Sequence, residues 1–138
     1  MSAAAAPVDI LMVEDSPGAV RLMVEALRDA GLPNRLNVVE DGQGALDYLR
    51  GAAPYQGMAR PGLVLLDLNL PGKHGCEVLG EIRADPALQA IPVVVLSTSQ
   101  AENDKARCQA LDANCYVVKP MDYEGFVAVV AALKRFWE

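Results

Sequence analysis

The chain is poor in the residues that disulfide and soft-metal chemistry require. It has one histidine, His74, and three cysteines, Cys76, Cys108 and Cys115, with no CxxC pair. An odd and scattered set argues against a disulfide framework and against a Cys/His zinc site. Basic residues are in deficit: 12 Lys and Arg stand against 18 Asp and Glu, and the net charge of −6 excludes a strong pull toward nucleic-acid phosphate or anionic lipid. No apolar run approaches the ~18 residues a membrane helix needs, and no repeat recurs at a period of about 20 to 50 residues. Residues 1–7, Met-Ser-Ala-Ala-Ala-Ala-Pro, lack the basic start and apolar segment of a signal peptide, so they read as a flexible tail and the protein as cytoplasmic. Neither GxGxxG nor a P-loop pattern follows the first apolar run, which argues against a nucleotide-binding or flavin module.

What is present is the material of one α/β domain. In 138 residues, 52% are hydrophobic and 22% charged, enough for a single core without staples. Four runs, Ile10-Leu11-Met12-Val13, Leu63-Val64-Leu65-Leu66, Val93-Val94-Val95-Leu96 and Tyr116-Val117-Val118, are apolar on successive residues, as strands covered on both faces are. A weaker run, Leu36-Asn37-Val38-Val39, suits an edge. Helical patterns lie between them. The first is capped by Ser16, has Pro17 at its first position, spaces Val20, Val24 and Leu27 for one buried face, and ends at Gly31. The second starts at Asp41 and buries Ala45, Leu46 and Leu49. The third buries Val78, Leu79 and Ile82 and stops at Asp85-Pro86, the fourth runs from about Gln100 to Leu111, and the fifth presents Phe126, Val129, Val130 and Leu133. Five strands each followed by a helix predict a doubly wound five-stranded parallel sheet of order 2-1-3-4-5, the flavodoxin-like arrangement.

In such a sheet ligands bind beyond the carboxyl ends of the central strands. The residues there are Glu14 and Asp15 after strand 1, Asp67 after strand 3, Ser97 after strand 4 and Lys119 after strand 5. Three carboxylates brought together cannot all stay ionised without a cation, and an oxygen-only donor set argues for Mg²⁺. A carboxylate nucleophile, a metal, an ammonium and a hydroxyl make a site for transferring a phosphoryl group onto Asp67.

The segments ILMVEDS, LLDLNLPGKHG, VVVLSTS and YVVKP stand in the order, and at the strand ends, of the receiver domains of two-component response regulators. From about Asp9 to the end the sequence resembles that family, which makes residues 8–138 the receiver domain. The resemblance implies that Asp67 accepts a phosphoryl group from a histidine kinase, that Glu14, Asp15, Asp67 and the backbone carbonyl of Asn69 hold Mg²⁺, and that Lys119 contacts the phosphate. It further implies that Ser97 reorients on activation with Tyr116 as the coupled switch aromatic, that a cis bond precedes Pro120, and that Gly75 is the glycine of the loop after strand 3.

Departures from the family pattern are the Glu-Asp acidic pair, serine at position 97 where threonine is commoner, and Thr98 where alanine or glycine is usual. Thr98 is expected to narrow access to Asp67 and slow attack by water. His74 reads as a solvated loop residue, Cys108 and Cys115 as small apolar packing residues, and Met12 and Met23 as core filler. Phe136 and Trp137 close the last helix where a lone monomer has little to cover them, so a partner surface is expected there.

The ending, with STSQAENDK and NCYVVKP, is similar to single-domain regulators paired with phytochrome-type histidine kinases. That similarity implies a homodimer through the helix 4, strand 5 and helix 5 face. With nothing after residue 138, output is expected through protein contacts. Two alternatives use the same residues. One is a degenerate receiver acting as an interaction module, which Thr98 favours. The other is a haloacid-dehalogenase-type phosphatase, which would need an aspartate where Asn69 stands.

Overall fold

Each apolar run becomes a strand in the computed structural model, which describes residues 6–98 and 102–137. β1 (Val8–Val13), β2 (Asn34–Val39), β3 (Leu63–Asp67), β4 (Val93–Ser97) and β5 (Cys115–Val118) pair in parallel in the order β2-β1-β3-β4-β5, as expected. The helices are α1 (Pro17–Asp29), α2 (Gly42–Arg50), α3 (Gly75–Ala84), α4 (Glu102–Ala110) and α5 (Tyr123–Leu133), followed by a 3-10 turn, Lys134–Trp137. Residues 1–5 of the expected tail and a helix start at Gln100 lie outside the described residues.

Side-chain alternation along the strands divides the core in two. Ile10, Met12, Leu63, Leu65, Val94 and Leu96 pack with Met23, Leu27 and Phe126 from α1 and α5. Leu11, Val13, Val64, Leu66, Val93 and Val95 pack with Leu46, Leu79 and Cys108 from α2, α3 and α4. Because both faces are covered, β1, β3 and β4 need no polar side. Ser16, Asp41 and Asp122 cap α1, α2 and α5, accepting from the N–H groups of Ala19 (3.3 Å), Gly44 (2.6 Å) and Gly125 (2.8 Å).

Four expectations need correction. Val24 is 42% exposed, because the buried stripe of α1 runs through Ala19, Met23, Ala26 and Leu27. Small alanines there let the helix lie close on the sheet, and the stripe turns away from Val24. β5 is the outer strand beyond β4 and is not covered on both faces; Val118 is 51% exposed. The peptide before Pro120 is trans, the one cis bond among the described residues being Ala53–Pro54. His74 is no solvated loop residue: it is half-buried and caps α3, its Nδ1 accepting from the Cys76 N–H at 3.0 Å.

Gly75 fixes where β3 hands over to α3. Its N–H donates to the Leu68 carbonyl at 2.9 Å, and a Cβ built on it would lie 2.5 Å from the Asp67 carbonyl oxygen and 2.6 Å from Leu68 Cα. Backbone on both sides leaves nothing flexible to yield. Gly75→Ala is therefore expected to destabilise the fold by about 2 kcal/mol, in the range for overpacking a tight interior. Urea unfolding measures it, and an unchanged midpoint would mean that the handover can shift freely.

Candidate functional site

Strand register gathers the expected residues. Val13 pairs with Leu66, so Glu14, the next residue after β1, comes level with Asp67; Ser97 pairs with Val118. Lys119 then follows, its N–H donating to the Ser97 carbonyl at 2.8 Å. One carboxylate oxygen from each of Glu14, Asp15 and Asp67 lies within 4.8 Å of the others. Lys119 reaches into this group, its Nζ 2.6 Å from Glu14 Oε1 and 3.2 Å from Asp67 Oδ2.

The partners of each group differ. Glu14 is buried and committed on both oxygens, since Oε2 also accepts the Ser16 N–H at 3.1 Å. Burial, the largest influence, raises its carboxyl above the ordinary value, although the Lys119 hydrogen bond pulls the other way and the Asp67 charge adds to the rise. Asp67 is also buried, its Oδ1 accepting the Asn69 N–H at 3.0 Å. Asp15 is exposed and has no ion-pair partner among the described residues. For Lys119 burial is the largest single influence and lowers the pKa, but the Glu14 hydrogen bond and the charges of Asp67 and Glu14 together leave the ammonium above its ordinary value.

Three carboxylates and one ammonium leave two negative charges uncompensated when all are ionised. A divalent cation balances them, and an all-oxygen set suits a hard ion. The residues present therefore fit a divalent metal, with exposed Asp15 the ligand most open to it.

Ser97 is fully buried at the end of β4. Two residues beyond Val95, it shares that residue's face of the sheet, where half-buried Tyr116, the strand partner of Val95, also packs. Phe136 and Trp137 are elsewhere: Trp137 Nε1 donates to the carbonyl of Pro33, just before β2, at 2.6 Å, at the opposite end of the strands. Both aromatics are half-buried against the α1/α5 side of the core, so the chain covers more of them than their position in the sequence implied. One contact escaped sequence reasoning: the Asn69 side-chain amide donates to Thr98 Oγ1 at 3.2 Å, joining the loops after β3 and β4 across the mouth of the site. Its signal was available, since the two residues follow the ends of adjacent strands.

The family model of the response regulator receiver domain matches residues 10–131. The chain belongs to that family. This receiver domain is 41% identical over 131 residues to the response regulator Rcp1 of Synechocystis sp., covering 95% of this chain and 89% of that protein. It superimposes with a TM-score of 0.89 and 44% identity on a crystal structure of the phosphorylated cyanobacterial phytochrome response regulator RcpA, covering 96% of this chain and 94% of that one. It matches the Mn²⁺-bound form of Rcp1 with a TM-score of 0.87 and 41% identity, covering 95% and 94%. The receiver is thus a signalling domain related to phytochrome response regulators, and its oxygen-rich cluster has the ligand chemistry that a divalent metal takes. No helix among the described residues is long and apolar enough to cross a membrane.

Proposed function

We propose that the protein is a phosphoacceptor switch in which Asp67 takes a phosphoryl group from the histidine of a phytochrome-type kinase. The observation that carries this reading is the meeting of Asp67, Glu14, Asp15 and Lys119 at one sheet edge. A carboxylate oxygen of Asp67 attacks the phosphorus, the phosphorus–nitrogen bond breaks, and the imidazole leaves with the electron pair. Lys119 stays in place as a point charge beside the incoming phosphoryl oxygens, and the Ser97 hydroxyl turns to donate to one of them. Mg²⁺, held by Glu14, Asp15, Asp67 and the Asn69 carbonyl, would neutralise the charge gathered on the transferred group. Movement of Ser97 frees Tyr116 to change rotamer, which biases the α4–β5–α5 face between two states. Val118, Met121 (87% exposed) and Val127 (42% exposed) leave apolar surface on that face, in keeping with a homodimer there. Phe136 and Trp137 border the opposite end and extend the partner surface.

A small acyl-phosphate donor tests the reading in one experiment. Intact mass should rise by one phosphoryl group with Mg²⁺ present and not with a chelator, and light scattering should move toward the dimer. Equal modification in the chelator would refute it.

Thr98 sets the lifetime of the phosphoryl group by holding the Asn69 side chain across the approach to Asp67. Thr98→Ala is expected to speed hydrolysis of the acyl phosphate about fivefold, the equivalent of one hydrogen bond of about 1 kcal/mol. Decay of labelled protein measures it, and an unaltered half-life would dismiss the tether.

A further inference from the structure

A second cluster, chemically unlike the first, lies where the start of α3 meets α4. His74 caps α3 and Cys76 lies in its first turn; Asp104 and Cys108, four residues apart on α4, share one helix face. One ligand atom from each of His74, Cys76 and Asp104 lies within 4.8 Å of the others. Cys108 stands outside that close group of three but next to it, its Sγ 3.9 Å from that of Cys76, so a small approach of α4 would bring it in as a fourth ligand.

We propose that His74, Cys76, Asp104 and Cys108 form a site for a zinc-class divalent ion that ties the β3–α3 junction to α4. Two sulfurs at about 2.3 Å from a tetrahedral zinc stand about 3.8 Å apart, which the sulfur separation here nearly matches before any ion arrives. Two sulfurs, an imidazole and a carboxylate are each zinc ligands and together number the four that a tetrahedral site takes. The cysteines are fully buried while His74 and Asp104 are half-buried, so the hydrophobic interior backs the site and the two polar ligands form its mouth. Thiolates and imidazole favour zinc, whereas the carboxylates around Asp67 favour a hard ion, so the two clusters sort metals by ligand chemistry.

Binding gives up one hydrogen bond and releases the two thiol protons to solvent as the metal–sulfur bonds form. His74 Nδ1 now accepts the Cys76 N–H, and coordination through either ring nitrogen gives that bond up. The cysteines are not poised as nucleophiles: burial, the largest influence, pushes the Cys108 thiol up to about 12 and raises Cys76 as well, with the Asp104 charge adding and Arg107 opposing. The cluster uses none of the residues around Asp67, so it stands or falls independently of the phosphoacceptor reading.

The full chain, stripped of metal by a chelator, should be titrated with Co²⁺ and then Zn²⁺. The expected result is one Co²⁺ with a thiolate-to-cobalt charge-transfer band and intense tetrahedral ligand-field bands, displaced by Zn²⁺ and not by Mg²⁺. The band should vanish in Cys76→Ser and Cys108→Ser and persist in Cys115→Ser and Asp67→Asn. His74→Asn, which keeps an acceptor at the helix cap, and Asp104→Asn alter half-buried positions and serve if the cysteine variants fail to fold. Each should weaken Zn²⁺ by more than the roughly 10–100-fold that loss of an outer-shell partner produces. No thiolate band, a band that follows Cys115, or unchanged Zn²⁺ affinity in both His74→Asn and Asp104→Asn would overturn the site.

Discussion

Asp67→Asn is expected to reduce phosphoryl labelling to background while leaving the fold intact. An amide is nearly the same shape as the carboxylate but supplies no anionic oxygen to attack phosphorus. The variant keeps the 2.6 Å pair between Lys119 and Glu14, so the buried ammonium retains a partner. It also removes one of three crowded like charges, and the Glu14 carboxyl, raised in part by Asp67, should relax downward. Thermal unfolding at neutral pH should therefore be no lower than for the parent. Loss of label with an unchanged melting curve identifies Asp67 as acceptor. Labelling equal to the parent's, from kinase or small donor, would remove it from that role.

How far the residues alone led depends on what each conclusion required. β1, β3 and β4 were legible because a strand covered on both faces can be apolar at every position, and Leu63 to Leu66 or Val93 to Leu96 has few other readings. β5 looked the same over Tyr116-Val117-Val118, but three residues cannot tell an inner strand from an outer one. Only its place beyond β4 leaves Val118 open. In α1 the larger valines at 20 and 24 drew attention from Ala19 and Ala26, which fill the face nearest the sheet.

The acidic site was legible for a topological reason. Once the strand order is known, whatever follows β1, β3, β4 and β5 must converge, and no side-chain detail is needed to bring Glu14, Asp15, Asp67 and Lys119 together. The sulfur-rich cluster obeys no such rule. His74 and Cys76 stand about one helix and one strand away from Asp104 and Cys108, and their meeting depends on how α3 and α4 lean on each other. A search for closely spaced metal ligands passes over it. The Asn69–Thr98 contact lies between these cases: topology brings the two loops together, and rotamers then decide whether they touch.

Lys119→Met should produce the largest loss of stability at the site. Methionine keeps a straight apolar stem, so packing changes little and the charge alone is removed. Glu14, whose side chain is 1% exposed, then lies buried beside Asp67 with no cation. Breaking a buried pair by deleting one partner costs about 3 kcal/mol or more, because the remaining charge stays out of water. The pH dependence follows from the same groups. The Glu14 carboxyl already sits above its ordinary value, and the lysine hydrogen bond and charge that hold it down would be gone, so it rises further. The folded variant then binds a proton over a pH range in which the unfolded chain has released it, and stability falls as pH rises through that range. The deficit should thus be full at neutral pH and shrink on acidification toward the ordinary carboxylate value. Divalent ion should restore part of it by binding only the folded state. Urea unfolding of parent and variant across this pH range, with and without Mg²⁺, reads all three effects. A variant as stable as the parent at neutral pH, or one that gains stability with rising pH, would show that Glu14 does not depend on Lys119 for its charge.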